Sequence, residues 1–170
     1  MSKRDELARE SWGHLQHCRR LVRSSLPGVL VVPFDDVTGG AVDDIALRAR
    51  TDGADRSLPT RLVDGNLGAA LAGEMQRRLR DDRTLDIHRV TASMFERAGG
   101  VVASTVDLRT LEHRGVRLPY YHRRTCCLRD RVTDRHRCDT CSLRDDADLP
   151  AMVRAGIDRR LDDPERGLHP

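Results

Sequence analysis

Residues 123–143 read RRTCCLRDRVTDRHRCDTCSL and contain four of the five cysteines of this 170-residue chain. Cys126 and Cys127 are adjacent, and after ten intervening residues Cys138 and Cys141 form a CxxC pair. Four thiols so close together, in a chain otherwise nearly free of cysteine, predict a single site. Three occupants have to be weighed: disulfides, a zinc ion and an iron–sulfur cluster.

Disulfides are the least favoured of these occupants. The chain begins MSKRDELARE, and its first basic residues are not followed by an apolar segment that could act as a secretory signal. We therefore expect a reducing, cytoplasmic location. In that compartment clustered cysteines bind metal or carry out redox chemistry more often than they form disulfides.

The spacing of the cysteines bears on the choice between zinc and a cluster. Structural zinc usually takes its ligands as two CxxC-type chelates, and Cys138 and Cys141 have that spacing. Cys126 and Cys127 do not, because neighbouring side chains diverge by about 100° on a helix and about 180° on a strand. Diverging thiols suit a wider target with two metal centres, such as a binuclear cluster held by four thiolates.

The order CC, ten residues, CxxC, preceded by Arg123-Arg124-Thr125 and followed by Ser142-Leu143, closely resembles the C-terminal [2Fe-2S] motif of the FhuF-like ferric siderophore reductases. A second stretch, LVDGNLGAALAGEM at residues 62–75, is similar to that family's helix with a Gly-Asn and small-residue run. The resemblance covers residues 58–145, about half of the chain.

The resemblance implies a [2Fe-2S] cofactor and a redox activity. The implied cluster ligands are Cys126, Cys127, Cys138 and Cys141, with no catalytic residue beyond the cluster. The implied activity is one-electron reduction of a ferric chelate, for which a hydroxamate-type siderophore is a possible substrate.

Basic charge is concentrated around the cysteines. Residues 114–137 contain eight arginines and two aspartates, in a chain whose net charge is only +3. A four-thiolate [2Fe-2S] centre is anionic and gains a negative charge on reduction, so nearby guanidinium groups favour its reduced form. We expect Arg123, Arg124, Arg129 and Arg131 to steer an anionic chelate or an acidic electron donor to the site. The alternative is an ordinary solvated face.

The composition predicts a small, single-domain, mainly α fold with a minor β element and a C-terminal cysteine-rich segment. At 19.2 kDa and 3% aromatic residues, the core must consist largely of Leu, Val, Ala and Met. The charges nearly balance, which does not indicate nucleic-acid binding, and no apolar run approaches the ~18 residues of a membrane span. Without a flavin or nicotinamide fingerprint, we expect an external electron donor.

Hydrophobic spacing predicts helices at residues 4–26, 59–80 and 84–98, and a last helix that begins at an Asp148 N-cap and covers the cysteine segment. The other predicted elements are a short strand at 29–34, a loop region at 35–55 with one short element at 43–50, and either a strand or a helix at 101–111.

These elements divide the chain into three regions. Residues 1–57 are an N-terminal helix and loop/strand region, residues 58–145 are the FhuF-like region with the cluster motif, and residues 146–170 are a C-terminal helix and tail.

Two helical patterns contain residues that need an explanation. Gly65, Gly68 and Gly73 each weaken the helix at 59–80 by up to about 1 kcal/mol relative to alanine. Close packing of a neighbouring backbone or of the cysteine loop would explain them, and a weak core helix is the alternative. In the first helix, His14, His17 and Cys18 lie at helical spacing. We interpret them as surface side chains rather than metal ligands.

Three functions stay open. The first is a [2Fe-2S] ferric siderophore reductase, which frees iron because hard oxygen donors hold Fe(III) far better than Fe(II). The second is a [2Fe-2S] electron carrier or redox sensor without its own substrate, which the short N-terminal part favours. The third is a zinc-bound structural module.

Overall fold

The structure, a computed structural model, describes residues 2–26, 36–81, 86–132 and 139–163. Within these ranges the chain forms five α-helices and one two-stranded antiparallel sheet, so the prediction of a mainly helical single domain with a minor β element is confirmed. The elements in chain order are α1 (Lys3–Ser25), α2 (Asp36–Asp55), α3 (Thr60–Asp81), α4 (Ile87–Ala98), a 3₁₀ turn (Val102–Thr105), β1 (Val106–His113), β2 (Val116–Arg123), a second 3₁₀ turn (Arg129–Arg131) and α5 (Asp148–Leu161).

Helix α3 is the centre of the fold. Helices α1, α2 and α4 and the β-hairpin all pack against it, and every residue from Val63 to Ala72 is buried. A helix that is enclosed on all sides must be apolar or small all round. The run of Leu, Ala and Gly in this helix meets that requirement, and the two buried polar residues in it, Asp64 and Asn66, are hydrogen-bonded to Arg50 and Arg123.

Helices α1 and α3 confirm their predictions to within about one residue at each end. Helix α1 begins with a capping box, in which Asp5 N donates to Ser2 Oγ (3.2 Å) and Ser2 N donates to the Asp5 carboxylate (3.1 Å). Helix α4 begins at Ile87, after an Asp86 N-cap, and ends at Ala98. The next residue, Gly99, has a φ of 64° and is the predicted C-terminal stop. The predicted start of α4 at residue 84 lies outside the described residues.

The prediction of a loop region at residues 35–55 with one short element at 43–50 is wrong, because residues 36–55 form helix α2. Close packing on a neighbouring helix explains Gly53, whereas a Cβ on Gly40 would meet no atom within 4 Å. A Cβ on Gly53 would lie 2.4 Å from Val63 Cγ2, so glycine is required for the approach of α2 to α3. The buried residues Val42, Ile45 and Ala49 give α2 its inward face. The predicted strand at 29–34 lies outside the described residues.

The β-hairpin settles residues 101–111 as a 3₁₀ turn followed by strand β1. Arg114 and Gly115 connect the strands with φ values of 51° and 75°, the left-handed conformations that a two-residue hairpin turn requires. Pro119 lies inside β2, opposite Thr110. A proline is tolerated there because both strands of a two-stranded sheet are edges.

Helix α5 packs against the hairpin and buries Leu149 and Ile157. Asp158 holds it there through His113 (2.8 Å) and Arg114 (3.1 Å). Asp148 is the first helical residue, and the preceding residue makes no side-chain cap, so the predicted N-cap is wrong by one position. No helix in the described ranges is long and apolar enough to cross a membrane.

Candidate metal centre

The two ends of the cysteine segment meet at the end of strand β2. Arg123 N donates to Thr140 O (3.0 Å), and His122 Nε2 lies 3.1 Å from Cys141 O. These contacts bring the chain back beside β2, three residues before the Cys126-Cys127 pair begins. Cys138 lies outside the described residues, so the structure places three of the four predicted ligands.

The described thiols lie in a largely enclosed setting. Cys127 and Cys141 are 3% and 4% exposed, and Cys126 is half-buried. Leu128 adopts a left-handed conformation with φ of 58°, and its N–H donates to Cys126 Sγ at 3.3 Å. Such N–H···S bonds stabilise a thiolate and help to set the potential of a thiolate-bound metal centre.

The glycines of α3 allow the hairpin and the cysteine segment to approach the helix closely. A Cβ on Gly65 would lie 1.9 Å from Thr125 Oγ1, and a Cβ on Gly68 would lie 2.9 Å from Thr105 Oγ1. Gly73 faces Tyr121 in the same way at 3.3 Å. Close packing therefore explains these three glycines, and it fixes the residue before Cys126 against the central helix.

Arg123 begins a chain of buried hydrogen bonds that crosses the core. Its side chain is 2% exposed, and its Nη2 donates to Asn66 Oδ1 at 2.8 Å. Asn66 Nδ2 in turn donates to Ser11 O (3.0 Å) and lies 3.2 Å from His14 Nδ1. His14 Nε2 lies 2.8 Å from Ala49 O. This series of hydrogen bonds links β2, α3, α1 and α2.

The partners of His14 define its protonation. A carbonyl oxygen faces Nε2 and an amide NH₂ faces Nδ1, so the neutral tautomer with its proton on Nε2 satisfies both contacts. Burial lowers the pKa of His14 and favours the same neutral form.

The interpretation of His14 and Cys18 as surface side chains is wrong. Both are fully buried, and their side chains lie 3.6 Å apart at the closest ring nitrogen. Burial raises the pKa of the Cys18 thiol to about 12. Cys18 is therefore a protonated thiol of the core and is not equipped to ligate a metal.

Arg123 differs from the other predicted steering arginines. Arg124 and Arg131 are exposed, and Arg129 stacks on Trp12 with its guanidinium carbon 5.1 Å from the ring centroid. Arg123 faces the core instead, because side chains alternate along β2 and its side is the one packed on α3. It cannot contact a docking partner, so its predicted steering role is replaced by an internal one.

The internal role follows from the charge of Arg123. Among the described residues no carboxylate lies within salt-bridge distance of it, and its Nε has no hydrogen-bond partner. The buried Thr125 Oγ1 has none either. A buried cation without a counter-charge is strongly unfavourable. Arg123 and Thr125 lie just before Cys126 in the sequence, and the guanidinium contacts Asn66 Oδ1 and Gly65 O of α3. An anionic centre held by cysteinates would supply a counter-charge.

The fit of a metal can be tested against the donor set. Among the residues that the structure describes, no three His, Cys, Asp or Glu side chains are grouped so that they could hold a metal ion. Cys126, Cys127 and Cys141 therefore do not form a single-ion site by themselves. Thiolate is the ligand chemistry of a four-cysteine cluster, and the fourth predicted ligand, Cys138, lies outside the described residues.

Sequence reasoning missed the buried chain through Asn66 and His14. Its one visible signal was Asn66, a polar residue within the apolar run of residues 62–71. Comparison of the chain with known families, curated proteins and solved structures gave no match.

Proposed function

We propose that the chain binds a [2Fe-2S] cluster through Cys126, Cys127, Cys138 and Cys141 and reduces a ferric siderophore or related ferric chelate by one electron. Bound there, the cluster would accept an electron from an external donor and supply it to Fe(III). Reduction releases the iron because the hard oxygen donors of such chelates hold Fe(II) far less tightly. We place this activity in the cytoplasm.

The observation that supports an anionic thiolate centre is the buried guanidinium of Arg123, which has no carboxylate partner among the described residues, and the adjacent pair Cys126-Cys127 favours a binuclear cluster over zinc. A neutral site would leave this charge uncompensated, at a cost of several kcal/mol. An anionic cluster in the cysteine segment offsets it. The offset grows when the centre gains an electron, so the cation favours the reduced form.

The surrounding residues hold the site in place. Asn66 and Gly65 O accept hydrogen bonds from Arg123 (2.8 and 3.4 Å) and fix the direction of its side chain. The N–H of Leu128 donates to Cys126 Sγ. His122 lies between Cys141 O and Asp146 (2.7 Å) and so holds the CxxC end of the segment against β2.

The experiment is purification without air, followed by iron and acid-labile sulfide analysis and by visible and EPR spectra before and after addition of dithionite. We expect visible absorption and an EPR signal that develops on one-electron reduction. The reduced protein is then mixed with ferric chelates and a ferrous trap, and Fe(II) should form in proportion to the protein oxidised.

Two results would contradict the proposal at different points. A colourless protein with one zinc per chain would exclude the cluster. A coloured protein that is reduced normally but releases no Fe(II) from any ferric chelate would keep the cluster and exclude the reductase activity. An electron carrier would then replace it.

A further inference from the structure

Two cavities adjoin at the face of β2 that carries Tyr121. The first, of about 370 Å³, lies between β2 and α5 and reaches Asp139 and Thr140, next to Cys141. The second, of about 280 Å³, lies against α1 and α3. Gln76 and Tyr121 line both cavities, so the two cavities adjoin at these side chains, and together they are called the groove.

The second cavity is strongly basic. It is lined by Arg19, Arg23 and Arg77, with Glu74 as its only carboxylate among the described residues. The Glu74 carboxylate already accepts hydrogen bonds from α3: Arg77 donates to it at 2.6 and 3.0 Å and Arg78 donates at 3.1 Å. It offsets only one of the two positive charges that Arg77 and Arg78 place on α3, and the positive charge contributed by α1 remains in excess.

Arg19 and Arg23 supply that excess charge. Arg23 approaches Glu74 only to 4.0 Å. Arg19 rests near the Trp12 ring, with its guanidinium carbon 5.9 Å from the centroid, and makes no ion pair with any described carboxylate. Ala69, Ala70 and Gly73 line the same cavity, and their small side chains leave room for a ligand to reach the guanidinium groups.

The first cavity has a different character. Tyr120, Leu149 and Met152 contribute aromatic and apolar walls, and Arg159 and Asp139 contribute polar groups. Each cavity is close to the lower end of the ~300–1,000 Å³ range of small-molecule sites. The groove therefore suits a compact ligand with negative charge at one end.

We propose that this groove binds a small anionic ferric chelate with carboxylate donors, with its free carboxylates at Arg19 and Arg23 and its iron toward Thr140, the residue before Cys141. The inference rests on the proposed function and narrows its substrate class, since a bulky trihydroxamate without negative charge would match neither the size nor the charge of the groove.

The reaction at this site balances as a single electron transfer. Fe(III) in the chelate gains one electron and becomes Fe(II), and the reduced cluster loses that electron. A low-potential one-electron donor, dithionite in the test tube, restores it. The only bonds that break are iron–oxygen coordinate bonds, and the released carboxylates remain ionised.

Binding can be tested apart from reduction by using gallium(III) citrate, which carries a trivalent ion that is not reduced. Isothermal titration calorimetry on the full-length purified protein should detect binding that weakens as salt increases. The double variant R19Q/R23Q should weaken it by about tenfold, the scale of one charge-assisted hydrogen bond. Ala155→Trp, which fills the first cavity from an exposed helical position, should weaken it as well.

Arg48→Gln is the matched control, because Arg48 is an exposed arginine paired with Asp44 on α2 and does not line the groove. It should leave binding unchanged. Circular dichroism of each variant checks that the fold is retained.

Three outcomes would overturn the inference. They are no binding of gallium citrate, equal loss in Arg48→Gln and R19Q/R23Q, and binding of a gallium trihydroxamate that is as tight and is insensitive to R19Q/R23Q. None of them touches the reductase activity, which the ferrous trap measures independently. Conversely, gallium citrate binding by a colourless protein would support the groove and exclude the cluster.

Discussion

Replacement of Arg123 by glutamine should lower the reduction potential of the bound centre by about 70 mV. Arg123 precedes Cys126 by three residues, which span at most about 10 Å of extended chain. Taking about 10 Å as the separation of the guanidinium and the centre, two unit charges interact by about 1.7 kcal/mol at an effective dielectric constant of about 20. For a one-electron couple this corresponds to about 70 mV, since about 59 mV is a factor of ten.

Glutamine is the informative substitution because it removes the positive charge and keeps a polar amide nitrogen at the position of the Arg123 Nε. Arg123→Lys keeps the charge and should restore most of the potential. Arg124→Gln is the matched control: its guanidinium is exposed and lies 3.7 Å from Asp107, so solvent and salt screen it and its removal should shift the potential much less.

The same substitution should affect the free energy of unfolding differently in the apoprotein and in the loaded protein. In the apoprotein Arg123 is a buried cation without a counter-charge, and its removal relieves an unfavourable burial. In the loaded protein the centre compensates it, and its removal breaks that pairing. Urea unfolding should therefore show Arg123→Gln as less destabilising, or stabilising, in the apoprotein and as destabilising in the loaded protein.

The assay is an EPR-monitored redox titration of the wild type and the three variants at one pH and ionic strength. A shift of less than about 20 mV for Arg123→Gln, or a shift matched by Arg124→Gln, would refute the reasoning. It would mean that the buried guanidinium does not act on the metal centre and that its missing counter-charge has another explanation.

Three further predictions concern the ligands, the packing and the pH dependence of the fold. Replacement of any one of the predicted ligands by serine should abolish or destabilise the visible chromophore; these ligands are Cys126, Cys127, Cys138 and Cys141. Cys18→Ser should retain the chromophore. Loss of colour in Cys18→Ser alone would show that the ligand assignment is wrong. Gly65→Ala should lower the free energy of unfolding by about 1–3 kcal/mol, because its Cβ would meet Thr125. Gly40→Ala is the control: its Cβ would have no atom within 4 Å, so it should raise the free energy of unfolding by up to about 1 kcal/mol. Equal losses for the two variants in urea denaturation would contradict the packing of Gly65 against Thr125. Burial raises the pKa of Glu74, but the hydrogen bonds from Arg77 and Arg78 outweigh it and hold the pKa below its ordinary value of 4.5. Its contribution to stability is therefore present above about pH 4.5 and is lost as the pH falls through the folded-state value, so unfolding measured across that range should show a smaller acid-induced loss in Glu74→Gln than in the wild type.

Local patterns in the sequence were enough to find α1, α3 and α4, because each combines apolar spacing with a terminal signal. Helix α2 was missed because its glycines were given more weight than the apolar spacing of its inward face. Its glycines look like loop residues until Gly53 is seen against Val63, a contact with a helix that begins several residues later. The inward spacing of Val42, Ile45 and Ala49 was present in the sequence and carried the correct answer.

The buried polar chain shows a second limit of the same kind. Helical spacing placed His14 and Cys18 near one another, and it also placed them in register with Leu21, on the face that is buried. Their partners Asn66 and Ala49 come from two other helices. The sequence could thus have located His14 and Cys18 inside the core, whereas the hydrogen bonds that make their burial tolerable depend on the packing of the helices.

Charge compensation at Arg123 constrains the metal centre further when it is combined with the chemistry of the candidates. A zinc ion held by four thiolates is also anionic, so the buried cation alone would suit either occupant. Zinc undergoes no redox change, however, and the guanidinium would then have no potential to influence. Arg123 can affect function through its charge only if the centre gains negative charge on reduction. In that case Arg123→Gln shifts the reduction potential, whereas Arg124→Gln leaves it nearly unchanged. The adjacent pair Cys126-Cys127 favours the same centre on geometric grounds, since diverging neighbours reach two metal ions more readily than one.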